Sequence, residues 1–172
     1  GLGDVYKRQE LVSKKRKVVL GGQGGDEIFG GYSRYLIGYL EQAIKAEMDG
    51  RADANMLPIP LSEIIKRLPG LKNYKPLIKS FWSNNLFGDP AERYFDLINR
   101  APNLGSIVNW DELPKDYNPL DEFKKIFNAD NVETNSYFDR MLHFDFKILL
   151  PHLLQVEDRM SMAHGVEARV PL

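Results

Sequence analysis

The chain has 172 residues, of which 43% are hydrophobic and 27% charged, enough apolar content for one buried core of ordinary size. Lys and Arg number 23 and Asp and Glu 24, a net charge of −1 that argues against a nucleic-acid coat or an anionic-membrane binder. Cys is absent, which removes disulfides, thiolate metal sites and cysteine nucleophiles, and no apolar run approaches the roughly 20 residues that span a bilayer, so a cytoplasmic protein is expected.

Residues 1–9 (GLGDVYKRQ) show no hydrophobic period and no helix start signal. They read as a non-native leader and are set aside from the fold. The basic run Ser13–Lys17 reads as a solvated approach to a strand, and Val18-Val19-Leu20, closed by Gly21-Gly22, reads as a short parallel strand. Tyr32, Tyr35, Leu36, Tyr39, Leu40 and Ala43 follow the spacing of one helical face, which points to packing rather than nucleotide stacking, and Gly50 ends that helix. Residues 51–60 read as a loop, and 61–68 and 71–87 as short helices split by Pro69-Gly70. Asp89-Pro90 is an N-cap followed by Pro at the first helical position. Residues 101–119 form an irregular connection, 120–127 a helix, and 135–150 a longer helix stopped at Pro151. A last helix runs over 151–164 with Gly165 just past its end, and Arg169-Val170-Pro171-Leu172 is extended. This is a mainly α pattern with few strands, and the strand at 18–20 is left without a visible partner. Trp82 and Trp110 read as core, and His143, His152 and His164 as ordinary histidines without metal-ligand spacing.

The densest chemistry lies at Gly21–Gly31, where six of the 14 glycines fall within 11 residues. A strand running through glycines into a helix lets backbone N–H groups approach an anion, and the helix start adds partial positive charge. The segment has neither the Lys-Ser/Thr of a Walker loop nor the usual dinucleotide spacing. Asp26 and Glu27 open the helix. They either complement its dipole, or present a carboxylate that would hold Mg2+ beside phosphates.

Taken together, Gly24-Gly25-Asp26-Glu27, Phe29-Gly30-Gly31-Tyr32 and Arg34-Tyr35 resemble the asparagine synthetase family signature SG-acid-GGDE-x-F-GGY-x-RY. Two positions depart from it: Gly21 stands in place of Ser, and Gln23 in place of an acid, or of the Tyr found in β-lactam-forming relatives. Asp145-Phe146-Lys147, Leu150-Pro151, Leu153-Leu154, Glu157-Asp158-Arg159, Ser161-Met162-Ala163 and Glu167-Ala168-Arg169-Val170-Pro171 resemble the same family's second long motif.

The resemblance implies an α/β parent domain of the adenine-nucleotide α-hydrolase type (ATP pyrophosphatase type), of which residues 10–172 are a partial copy lacking the SGGxDS pyrophosphate loop and the C-terminal part. It implies a carbon–nitrogen ligase of amino-acid biosynthesis that uses ATP and Mg2+ to adenylate aspartate. Ammonia derived from glutamine by a separate N-terminal glutaminase domain, a glutamine amidotransferase, then forms asparagine. It implies no nucleic-acid or membrane partner. The Mg2+ ligand would be Asp26, and the backbone of Gly21, Gly22, Gly24 and Gly25 would face substrate or pyrophosphate. Gln23 cannot titrate, so it would orient substrate by hydrogen bonding, and Glu157 becomes the candidate base. The alternative for Glu157 is a helix-surface acid or a structural ion pair with Arg159 or Arg169, while Glu167 and Arg169 read as a buried network bracing the Pro171 turn. Two other readings stand beside asparagine synthesis: a relative acting on another carboxylate or amine of the β-lactam or glycan-pathway kind, and a degenerate, non-catalytic helical module. The chain by itself is expected to release no pyrophosphate from ATP with aspartate.

Overall fold

The computed structural model describes residues 2–51, 53–105, 107–114, 116–130 and 132–170. It is mainly helical, as the sequence pattern predicts, and the described residues hold a two-stranded parallel sheet. The chain forms two compact units, residues 1–31 with 142–172 and residues 32–141.

The first unit holds α1 (Leu2–Ser13), β1 (Val18–Leu20), α2 (Gly25–Phe29), most of α8 (Tyr137–Ala163) and β2 (Glu167–Arg169). Residues 1–9 were expected to lie outside the fold, yet from Leu2 onward they supply most of α1. Val5, Gln9 and Val12 recur at helical spacing, and Gln9 is buried. The hydrophobic period is masked because the central inward residue is polar. The strand at 18–20 does have a partner. β2 lies parallel to it in the register Val18–Glu167, Val19–Ala168 and Leu20–Arg169, a pairing that needs more than 140 intervening residues and so leaves no local signal. Gly21 N–H continues the ladder by donating to Arg169 O at 2.8 Å.

Helix α8 runs 27 residues straight through Pro151, where the sequence pattern predicts two helices. Proline in a helix interior forfeits one backbone hydrogen bond at a cost of about 3 kcal/mol. The buried face offsets this. Leu150, Glu157 and Ser161 are buried at seven- and four-residue intervals on either side of the exposed Pro151. At its C-terminus Gly165 (φ 63°) gives a Schellman stop, with Val166 N–H donating to Ser161 O (2.9 Å) and Gly165 N–H to Met162 O (3.0 Å).

The second unit contains α3 (Ser33–Asp49), α4 (Leu61–Ile65), α5 (Lys75–Trp82), α6 (Pro90–Ile98), α7 (Pro119–Phe127) and the first turn of α8. The helix expected over 71–87 is shorter. Residues 68–74 are a 3-10 turn, and α5 stops at Trp82 before Asn85 and Phe87 adopt positive φ. Asp89 caps α6 as the sequence predicts, accepting from Ala91 N–H at 3.1 Å and Glu92 N–H at 3.2 Å. Tyr35 and Tyr39 pack inward and Tyr32 is half-buried, so the inner part of the tyrosine stripe is core. Tyr35 meets Tyr94, which in turn meets Phe127, and Phe127 stacks on Phe123 at 5.1 Å. Trp110, expected in the core, is 39% exposed in the irregular 101–119 connection.

Within this core sits a buried ion pair that no motif announces. Arg93 Nε and Nη2 each donate to a Glu41 carboxylate oxygen at 2.6 Å. The remaining guanidinium hydrogens reach Asn84 O, Asp96 Oδ2 and Phe81 O, so every donor of a fully buried arginine is used.

Candidate functional site

The glycine loop of the first unit follows directly from β1. Gly24 adopts φ 95°, a left-handed backbone that glycine takes without steric cost, and it turns the chain into α2. That helix is only five residues long and ends at Gly30, whose N–H donates to Asp26 O at 3.0 Å. So short a helix carries little macrodipole, and the loop's affinity for an anion would rest on individual backbone N–H groups. Two of these are already committed: Gly21 N–H to Arg169 O, and Gly25 N–H to Gly22 O at 3.3 Å.

Of the two acids that open α2, Asp26 is exposed and Glu27 is buried. The Asp26 carboxylate folds against Gly31, where a β-carbon would lie 1.9 Å from Asp26 Oδ1. Among the described residues no cluster of three or more His, Asp or Glu could hold a metal ion unaided. A single exposed carboxylate fits Mg2+ that arrives with phosphate oxygens and keeps several waters. It does not fit a bare resident ion.

Gln23 and Glu157 were nominated from two motifs at opposite ends of the chain, and the fold brings them together. Gln23 Nε2 donates to Glu157 Oε2 at 3.0 Å across 134 residues of sequence. Glu157 is buried on α8. It also accepts from Arg8 Nη2 at 3.2 Å and from Gln9 Nε2. Glu157 is therefore no surface acid, and its ion pair is with Arg8 rather than with the alternative partners Arg159 or Arg169. Arg8 and Gln9 are the contributors that sequence reasoning missed, because they stand in the segment set aside as a leader. Gln23 Oε1 is buried without a hydrogen-bond partner.

Glu167 and Arg169 were expected to be a buried brace. They do pair, Arg169 Nε donating to Glu167 Oε1 at 2.8 Å, but both side chains are more than half exposed. In a three-residue strand of exposed–intermediate–exposed pattern, the first and last side chains face outward and only Ala168 turns in. The hydrogen bond from Arg169 holds the Glu167 carboxyl below its ordinary range and raises the guanidinium in turn. The turn at Pro171 lies outside the described residues. His164 packs edge-on against Tyr6 at 4.5 Å, and His152 Nδ1 lies 2.5 Å from Ile148 O.

Chemically, the first unit thus offers a glycine loop with an exposed carboxylate on one flank, and a buried carboxylate joined to an amide at its centre. No helix among the described residues is long and apolar enough to cross a membrane. No curated protein and no solved structure matches the chain. A family model described as asparagine synthase matches residues 5–172.

Proposed function

The chain belongs to the asparagine synthase family, and from that premise we propose that it carries the acyl-transfer half of an ATP-dependent amide-forming ligase, with aspartate as the carboxylate and glutamine-derived ammonia as the nucleophile. Family membership makes it a carbon–nitrogen ligase by kind, and the family is ATP-using. The N-terminal glutaminase partner, the bound Mg2+ and a cytoplasmic location belong to the proposal.

The observation that carries the reading is the hydrogen bond between Gln23 and Glu157. Amide formation needs a group that takes a proton from the attacking nitrogen, within hydrogen-bond reach of the activated carboxyl. Glu157 supplies that acceptor. Its Oε2 is held by the Gln23 amide together with Arg8 Nη2, and a hydrogen bond to a charged group is worth about 1.5–3 kcal/mol. Gln23 holds the carboxylate in place and takes no proton itself. The backbone N–H groups of Gly22, Gln23 and Gly24 would face the phosphates, next to those of Gly21 and Gly25, which brace the loop through Arg169 O and Gly22 O. Asp26 would hold Mg2+, which would supply neutralisation of phosphate charge during attack by the carboxylate oxygen.

The test is Glu157→Gln in the parent protein that the sequence pattern implies. Aspartate-dependent exchange of pyrophosphate into ATP should persist, while amide formation falls by about 10²- to 10⁴-fold. Unchanged amide formation would remove Glu157 from the mechanism. One observation favours a second reading within the same chemistry. Gln23 replaces the acid of the motif, so another carboxylate or amine is the acceptor to try if aspartate yields no AMP. A panel scored for AMP with and without glutamine separates the two readings, and Asp26→Asn with unchanged ATP turnover would favour a non-catalytic loop.

A further inference from the structure

Gly21 and Gln23 are the two positions at which the glycine loop departs from the family signature, and in the fold they touch. A β-carbon built on Gly21 would lie 2.2 Å from Gln23 Oε1, 3.2 Å from its Cδ and 3.6 Å from its Nε2. These are the three nearest heavy atoms, and all belong to the one side chain. The same carboxamide donates through Nε2 to Glu157 Oε2 at 3.0 Å, while Oε1 is buried with no hydrogen-bond partner. An amide oxygen left unpaired is unfavourable. It is tolerated here where the glycine leaves room and the other end of the amide is held by a charge. Gly25, by contrast, has no heavy atom within 4 Å of the place its β-carbon would take, its chain neighbours and the backbone of its own helix aside.

We propose that Gly21 is a positioning residue: the space left by its missing side chain receives the Gln23 carboxamide, so that Gly21 and Gln23 work as a matched pair fixing the presentation of Glu157 at the glycine loop. The two departures from the signature are then one change. Any β-carbon at position 21, serine included, swings the amide off Glu157, because the end of a flexible side chain yields before the backbone does. This deepens the proposed function, since the residue positioned is the acceptor assigned there, but the contact itself does not depend on that assignment.

The test begins with the 15N-labelled 172-residue chain and solvent exchange of the Gln23 side-chain amide protons, with exposed Gln155 as internal reference. In the unaltered chain the Gln23 amide should exchange about tenfold more slowly than that of Gln155, the factor expected for a hydrogen bond of ordinary net strength. Gly21→Ala and Gly21→Ser should abolish the difference, and Gly25→Ala should preserve it, with the backbone amide spectrum as the check on folding. Retained protection in Gly21→Ala, or equal loss in Gly25→Ala, overturns the pairing. If Gly21→Ser does not fold, the comparison moves to the Gln23→Ala background, where adding Gly21→Ala should leave the denaturation midpoint unchanged; a further drop there also overturns it. In the parent enzyme, Gly21→Ala and Gln23→Ala should lower kcat for amide formation by similar factors, and the double variant by no more than either. Additive losses count against the pairing. Absence of any ATP-dependent amide formation fails the proposed function while leaving the exchange result to judge the pairing.

Discussion

Glu157 collects Arg8, Gln9 and Gln23 around one buried carboxylate, so charge and amide are balanced at that point by small changes of side chain. Gln23→Glu restores the acid of the family signature and places a second carboxylate about where the Gln23 amide now meets Glu157. Like charges this close favour sharing a proton, so the folded chain binds more protons than the unfolded one. Stability of Gln23→Glu should therefore fall relative to the unaltered chain as pH rises from about 4 to 7. Urea midpoints at the two pH values check this, and parallel curves would refute it. Tyr137 gives a pH dependence of the same sign at the alkaline end. Burial, ahead of the nearby Glu41 charge, keeps its phenol well above the ordinary tyrosine range, and its hydroxyl donates to Pro90 O at 3.1 Å. Above a pH of about 10 the unfolded chain ionises this tyrosine while the folded chain keeps its proton, so stability falls with rising pH. Tyr137→Phe should lose about 1 kcal/mol at neutral pH and flatten the fall above pH 10, as read by thermal melts across that range.

At the scale of elements, the second unit depends on one polar contact inside an apolar stack. Glu41 lies on the buried face of α3, and Arg93 answers it from α6, with the Arg93 guanidinium over the Phe81 ring at 3.6 Å. Glu41→Gln takes the bidentate carboxylate from a buried guanidinium, leaving the partly exposed Asp96 as its anion, and should cost about 3–5 kcal/mol, measured as a lowered urea midpoint with helical content retained below the transition. A loss under about 1 kcal/mol would mean that Asp96 and the carbonyls of Phe81 and Asn84 suffice, since surface-type pairs contribute no more. Helix α6 itself was legible from sequence because Asp89-Pro90 is a local signal, and α3 because its apolar period holds over about three turns, from Tyr32 to Ala43. The continuity of α8 through Pro151 was not legible. A proline's local penalty is visible in sequence, but the buried face that outweighs it is assembled from residues on both sides and from their tertiary neighbours.

At the scale of the molecule, the chain divides into one unit of purely helical packing and one that carries the sheet and the glycine loop. The sheet has three residues per strand, and exposed side chains flank its half-buried centre. Short, solvent-facing ladders open at low free energy. Amide exchange at Gly21 and Glu167, which join β1 and β2 at their ends, should be complete at least an order of magnitude sooner than at Ile37 and Leu97 in the helical core, measured by exchange into heavy water. Equal protection would show that the sheet is held more firmly than its length suggests. The sequence by itself determined the family, the glycine loop and most helix starts and stops, because caps, prolines, glycines and contiguous motifs act within a few residues of one another. It also named Gln23 and Glu157 separately. Only the tertiary structure decided that they meet, that β1 has β2 for a partner, that Gln9 and Glu41 are buried, and that Gly21 makes room for Gln23. Those outcomes depend on which distant surfaces come into contact, and the free energy of such contacts is set by packing and desolvation that no local pattern encodes.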